Sequence, residues 1–135
     1  MAILDNLGKY RNTGLLLLRI GLGIMFIIHG FPKLAGGPGG WTSLGGSMKV
    51  IGIDFMPIFW GFMAAATETF GGFLLIVGLF FRPALMLLII TMIIAALVHF
   101  SEGEGLQGAS HAIELAIVFI GLIFIGPGKY SVDKK

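Results

Sequence analysis

One acid, Glu68, sits inside the apolar run from Ile58 to Phe81. A helix through that run is long enough to cross a hydrocarbon core of about 30 Å, and it would hold the carboxylate near the midplane. On helical spacing the face of Glu68 reads Ala64, Ala65, Glu68, Gly71, Gly72 and Leu75, nearly all small side chains. Small residues let a neighbouring helix or a flat ligand come close to the backbone. A carboxylate at that depth needs a cation or its own proton. The fold must therefore be a bundle of spanning helices that answers this one charge.

Composition agrees. The 135 residues are 56% hydrophobic and 12% charged, with a mean hydropathy of +0.97. Soluble domains carry about 25% charged residues, so this is a membrane protein by composition. The length suits a single membrane domain over residues 1–135 with four crossings. A net charge of +2 without a basic cluster excludes a nucleic-acid partner. The absence of cysteine removes disulfides, thiolate nucleophiles, Cys-ligated zinc and iron–sulfur clusters. Redox chemistry would then need a quinone, a His-bound metal or haem, or a partner subunit.

The spans are predicted at about 13–29, 58–81, 84–99 and 110–125. The charged start and first apolar run could be a signal peptide, but Arg19 inside the run and the lack of a cleavage pattern favour a retained helix. The 30–57 connection holds eight glycines and three prolines, yet Trp41, Leu44, Met48 and Ile51 share a helical face. That pattern predicts a short interfacial helix anchored by Trp41. Arg82-Pro83 is expected to form the turn between the second and third spans.

Basic residues set the orientation. Lys9, Arg11, Arg82, Lys129, Lys134 and Lys135 fall at one end, against Lys33 and Lys49 at the other. The bias puts both termini in the cytoplasm. His29, His99 and His111 then all lie at the outer end, with Glu114 one turn from His111. Interfacial residues in contact with water are the plain reading of such histidines. The sharper one is a polar pocket of His29, His99, His111 and Glu114, roofed by the 30–57 segment. Arg19 shares a face with Gly23, Phe26 and Gly30, and its side chain could reach toward Glu68. The two charges are either a buried pair that fixes packing or part of a ligand or proton site.

The stretch Leu-Leu-Leu-Arg-Ile-Gly-Leu-Gly-Ile-Met-Phe-Ile-Ile-His-Gly-Phe-Pro-Lys-Leu (16–34) resembles the opening of DoxX-family membrane proteins. Residues 66–84, Ala-Thr-Glu-Thr-Phe-Gly-Gly-Phe-Leu-Leu-Ile-Val-Gly-Leu-Phe-Phe-Arg-Pro-Ala, are similar to that family's second helix and turn. Glu114 and Gly126-Pro127-Gly128 fit as well. The resemblance implies a four-helix membrane bundle and a link to quinone chemistry, since the family takes its name from a subunit of a thiosulfate:quinone oxidoreductase. It picks out Arg19, Gly30, Lys33, Glu68 and Gly72.

Together these readings predict an all-α, polytopic four-helix bundle in the inner membrane, acting as a quinone-interacting subunit whose electrons come from a soluble or membrane oxidoreductase partner. His99, His111 and Glu114 are the expected proton-handling groups, because imidazole titrates near neutrality. Arg19, His29, Lys33, Glu68 and Gly72 are the expected ligand contacts. Quinone is the expected cofactor, with haem behind it and no metal site. Membrane lipid and further copies of the chain are the other expected partners. A carrier for a small amphipathic molecule and a structural anchor for a soluble oxidoreductase are the alternatives.

Overall fold

A computed structural model describes residues 2–134. Lys135, counted above with the basic end, lies outside the described residues. The chain opens with a short helix α1 (Ala2–Asp5) and a 3-10 turn (Asn6–Tyr10). It continues through α2 (Arg11–Ala35), α3 (Gly37–Gly45), a second 3-10 turn (Gly46–Ile51), α4 (Pro57–Val77), α5 (Phe81–Ser101) and α6 (Gly105–Ile125). Four helical segments are long and apolar enough to cross a membrane: Ile3–Ala35, α4, α5 and α6. The all-helical bundle expected from the sequence is present, and so is the short helix after the first span.

The bundle is antiparallel, with α2 against α4, α4 against α5 and α5 against α6. Phe26 of α2 meets Phe119 of α6 with ring centroids 5.3 Å apart, closing the fourth side. The core runs through Leu75, Phe81, Leu85, Leu88, Met92, Ala112 and Phe119. Large side chains such as Phe70, Phe73 and Phe124 face outward. That reverses a soluble protein's pattern and suits a lipid surround.

Glycines set the closest helix contacts. A Cβ on Gly23 would lie 2.5 Å from the Gly72 carbonyl oxygen, and one on Gly30 would lie 2.7 Å from Glu68 Cβ. Gly45 and Gly61 do the same for α3 on α4, where a Cβ would come within 1.7 Å of the Pro57 and Trp41 carbonyl oxygens respectively. Only glycine permits such approaches.

Two expectations from the sequence are corrected. The first span does not end at His29: α2 continues through Pro32 to Ala35. Gly30, just past the expected end, is the contact point with α4. The turn between α4 and α5 is Gly78-Leu79-Phe80, with Arg82 and Pro83 already in the first turn of α5. Gly78, at φ +70°, ends α4, and the N–H of Leu79 reaches back to the Leu74 carbonyl at 3.1 Å. Trp41, on the short helix, also packs against the bundle. Its indole N–H donates to the Leu34 carbonyl at 3.1 Å and its ring stands edge-on to Phe62, centroids 5.1 Å apart.

The C-terminal tail folds back across the end of the bundle that carries the start of α2. Asp133 accepts hydrogen bonds from the N–H groups of Phe80 (3.2 Å) and Phe81 (2.8 Å), capping α5 from a distant part of the chain. Asn12 accepts from the Lys129 N–H at 3.0 Å.

Candidate functional site

Glu68 finds its cation in Lys33. The ammonium stands 3.0 Å from Oε2 and 3.2 Å from Oε1, with the Glu68 side chain 9% exposed and that of Lys33 43% exposed. The close approach at Gly30 produces this pairing. It presses α2 onto α4 at Glu68, and Lys33, three residues further along α2, reaches over the carboxylate.

Arg19 does not pair with Glu68. Its guanidinium is buried, and it donates to three carbonyl oxygens: Nε to Leu75 at 2.9 Å, Nη1 to Pro127 at 2.9 Å and Nη2 to Ile76 at 2.8 Å. Leu75 and Ile76 belong to the last turn of α4, whose carbonyls lack helical partners and carry the negative end of the helix dipole. The Gly23–Gly72 contact sets the register, leaving Arg19 about two turns, roughly 10 Å, from Glu68. Arg19 therefore closes the termini end of the bundle, and Lys33–Glu68 belongs to the other half.

Above the Lys33–Glu68 pair, between α4, α5 and the segment that follows α3, lies a cavity of about 310 Å³. Its walls are mainly apolar, with Leu44, Met48, Met63 and Ile94 among them, and Ser47, Thr67 and Thr91 add hydroxyls. The polar groups gather at Lys33, Glu68 and His99. Trp60 also lines it, with its indole N–H buried and without a hydrogen-bond partner among the described residues. A polar depression beside it, lined by Lys49, Ser101 and Glu102, shares Ser47 and Val98 with the cavity.

Among the predicted site residues, Lys33, Glu68 and His99 meet at this cavity. Gly72 and Arg19 are buried in helix contacts, while His29, His111 and Glu114 are exposed on the bundle surface. The structure thus does not assemble the four-residue pocket expected at the outer ends. Burial of one helix face sends these three side chains outward on the other. A haem clamped by two histidines finds only one histidine on the cavity wall.

Sequence reasoning missed Glu104. Its Oε2 lies 2.7 Å from His99 Nδ1. Beyond α5 the chain turns at Gly103, φ +81°, and the N–H of Glu104 returns to the His99 carbonyl at 3.1 Å. That is a Schellman ending, which places the residue after the glycine over the residue five positions before it. A His followed by Gly-Glu at this spacing was the available signal. Glu102 brings a further carboxylate, and one atom from each of the three residues lies within 4.8 Å of the others. Imidazole and carboxylate are ligand types that divalent cations accept, but Glu102 and Glu104 are exposed, and the His99–Glu104 bond already occupies Nδ1 and Oε2.

The fold and this site define a four-span membrane protein with a buried carboxylate paired to a lysine beside an apolar cavity. The chain belongs to the DoxX family, whose family model matches residues 14–100. It is 31% identical to a Haemophilus influenzae protein carried as "Uncharacterized protein", over 98% of this chain and 97% of that one. It is 29% identical to "Inner membrane protein YphA" of Escherichia coli, over 95% and 94% of the two chains. It is 33% identical to "Putative oxidoreductase CatD" of Bacillus subtilis, over 94% and 90%. No solved structure matches it at a significant level.

Proposed function

We propose that the chain is an inner-membrane, quinone-interacting subunit of an oxidoreductase system, with both termini in the cytoplasm. The observation that carries this reading is the Lys33–Glu68 pair at the polar pole of an otherwise apolar cavity of about 310 Å³. That volume is at the small end for ligand sites and suits a ring-sized head group, with an apolar tail left among lipid or helices. The relative named as an oxidoreductase and the one named as an inner membrane protein support the redox and membrane parts.

Reduction of a quinone to a hydroquinone takes up two electrons and two protons. The electrons come from the redox centre of a partner protein, because a chain without cysteine has no thiol couple of its own. The two protons come one after the other from water, by way of the residues at the cavity. Lys33 offers a hydrogen bond to a head-group oxygen, Glu68 holds that ammonium in place, and His99 can give or take a proton. The apolar walls exclude water from the ring.

The test is binding of a short-tailed benzoquinone to the chain in lipid nanodiscs, followed by quenching of tryptophan fluorescence. Saturable binding that weakens at least tenfold in Lys33→Met and Glu68→Gln is expected. No saturable binding, together with redox-independent counterflow of a small amphiphile in liposomes, would replace this reading with a carrier.

A further inference from the structure

The bond between Glu104 and His99 decides which face of the imidazole the cavity sees. An ionised carboxylate only accepts hydrogen bonds, so the 2.7 Å contact makes Nδ1 the protonated nitrogen. The ring nitrogen left for the cavity is Nε2, which carries a lone pair in the neutral imidazole. The other charged acceptor on the cavity wall is Glu68. A hydroquinone has two O–H donors that need acceptors, and a quinone has two carbonyls that need donors. On the donor side, two of the three N–H groups of the Lys33 ammonium go to Glu68 and one is left, whereas each Glu68 oxygen keeps a second lone pair. The indole N–H of Trp60 is buried, and the hydroxyls of Ser47, Thr67 and Thr91 can turn either way.

We infer that Glu104, acting through His99, is a specificity-setting positioning residue that makes the cavity hold the reduced, hydroxyl-bearing head group in preference to the quinone. Glu104 itself stays at the end of the bundle, half exposed to water. Its work is to fix the tautomer, as a second carboxylate does for many functional histidines. A tenfold preference for the two-electron reduced form would raise the midpoint potential of the bound couple by about 30 mV. Such a site draws electrons from its partner. The inference rests on the quinone-class reading of the cavity given above.

The experiment compares a short-tailed benzoquinone with its hydroquinone, kept anaerobic, binding to the full chain in nanodiscs at pH 8. In parallel, ¹⁵N spectra of histidine-labelled protein report the tautomer of His99, with exposed His29 and His111 as references. Wild type is expected to show the Nδ1–H pattern at His99 and about tenfold tighter binding of the hydroquinone. Glu104→Ala should lose that pattern and bind the two forms within about twofold, while Glu104→Gln, whose amide oxygen can still accept, keeps both. Equal affinities in wild type, or a preference that survives Glu104→Ala, overturns the inference and leaves the quinone site standing. Failure of both probes to bind wild type removes the inference together with the reading beneath it.

Discussion

Gly23 and Gly72 meet backbone to backbone, so that a Cβ on Gly72 would lie 2.6 Å from the Gly23 carbonyl oxygen. This contact sets the register of α2 on α4 and holds the Arg19 and Glu68 positions apart. Gly72→Ala must push the helices apart. A destabilisation of about 1–3 kcal/mol is expected, as for other overpacked interiors. Thermal unfolding in detergent measures it, and an unchanged midpoint would show that the interface adjusts freely.

Arg19 and Glu68 should behave as independent residues. Arg19→Leu leaves buried carbonyls without a donor, each costing about 1–3 kcal/mol. Adding Glu68→Gln should bring no rescue, with the double variant additive to within about 0.5 kcal/mol. Recovery of stability in the double variant would restore the direct pair.

Lys33 and Glu68, by contrast, are coupled, but modestly in stability. The ammonium is nearly half exposed, and exposed ion pairs are typically worth no more than about 1 kcal/mol. A double-mutant cycle of Lys33→Met and Glu68→Gln should return a coupling of about that size. A coupling several times larger would mean that lipid, not water, surrounds the pair.

The tail contributes through Asp133. Asp133→Ala removes the acceptor for two N–H groups at the start of α5, and loss of a helix cap costs about 0.5–2 kcal/mol. Faster amide exchange at Phe80 and Phe81, with the rest of α5 unchanged, is the expected signature.

The positive charge at the termini end predicts cytoplasmic placement. A C-terminal reporter active only outside the cytoplasm should stay silent, and its activity would invert the orientation.

Periodicity made much of the fold legible. The face Arg19, Gly23, Phe26, Gly30 is the buried face of α2, and the small-residue face around Glu68 is the one α4 presents to its neighbours. Helix ends were harder to read, because the glycine- and proline-rich stretch from residue 30 reads as a connection until the neighbouring helix that uses Gly30 is known. The partner of Glu68 was missed for the same reason. The sequence points to Arg19 alone for Glu68, and only the inter-helix register brings Lys33 there instead. His29, His99 and His111 share a depth by counting, but depth does not say which way a side chain points. Glu104 was legible in principle through Gly103, since a glycine just past a helix folds the next residue back onto the last turn.

The Arg19 contacts also bear on how the protein is made. Pro127, which receives one of its hydrogen bonds, is synthesised 108 residues later. Leu75 and Ile76 can take up the guanidinium once α4 is in place, but the last acceptor arrives only after all four helices have been translated. Completion of the buried arginine's surroundings is thus a late event in biogenesis, one that follows synthesis of the fourth helix.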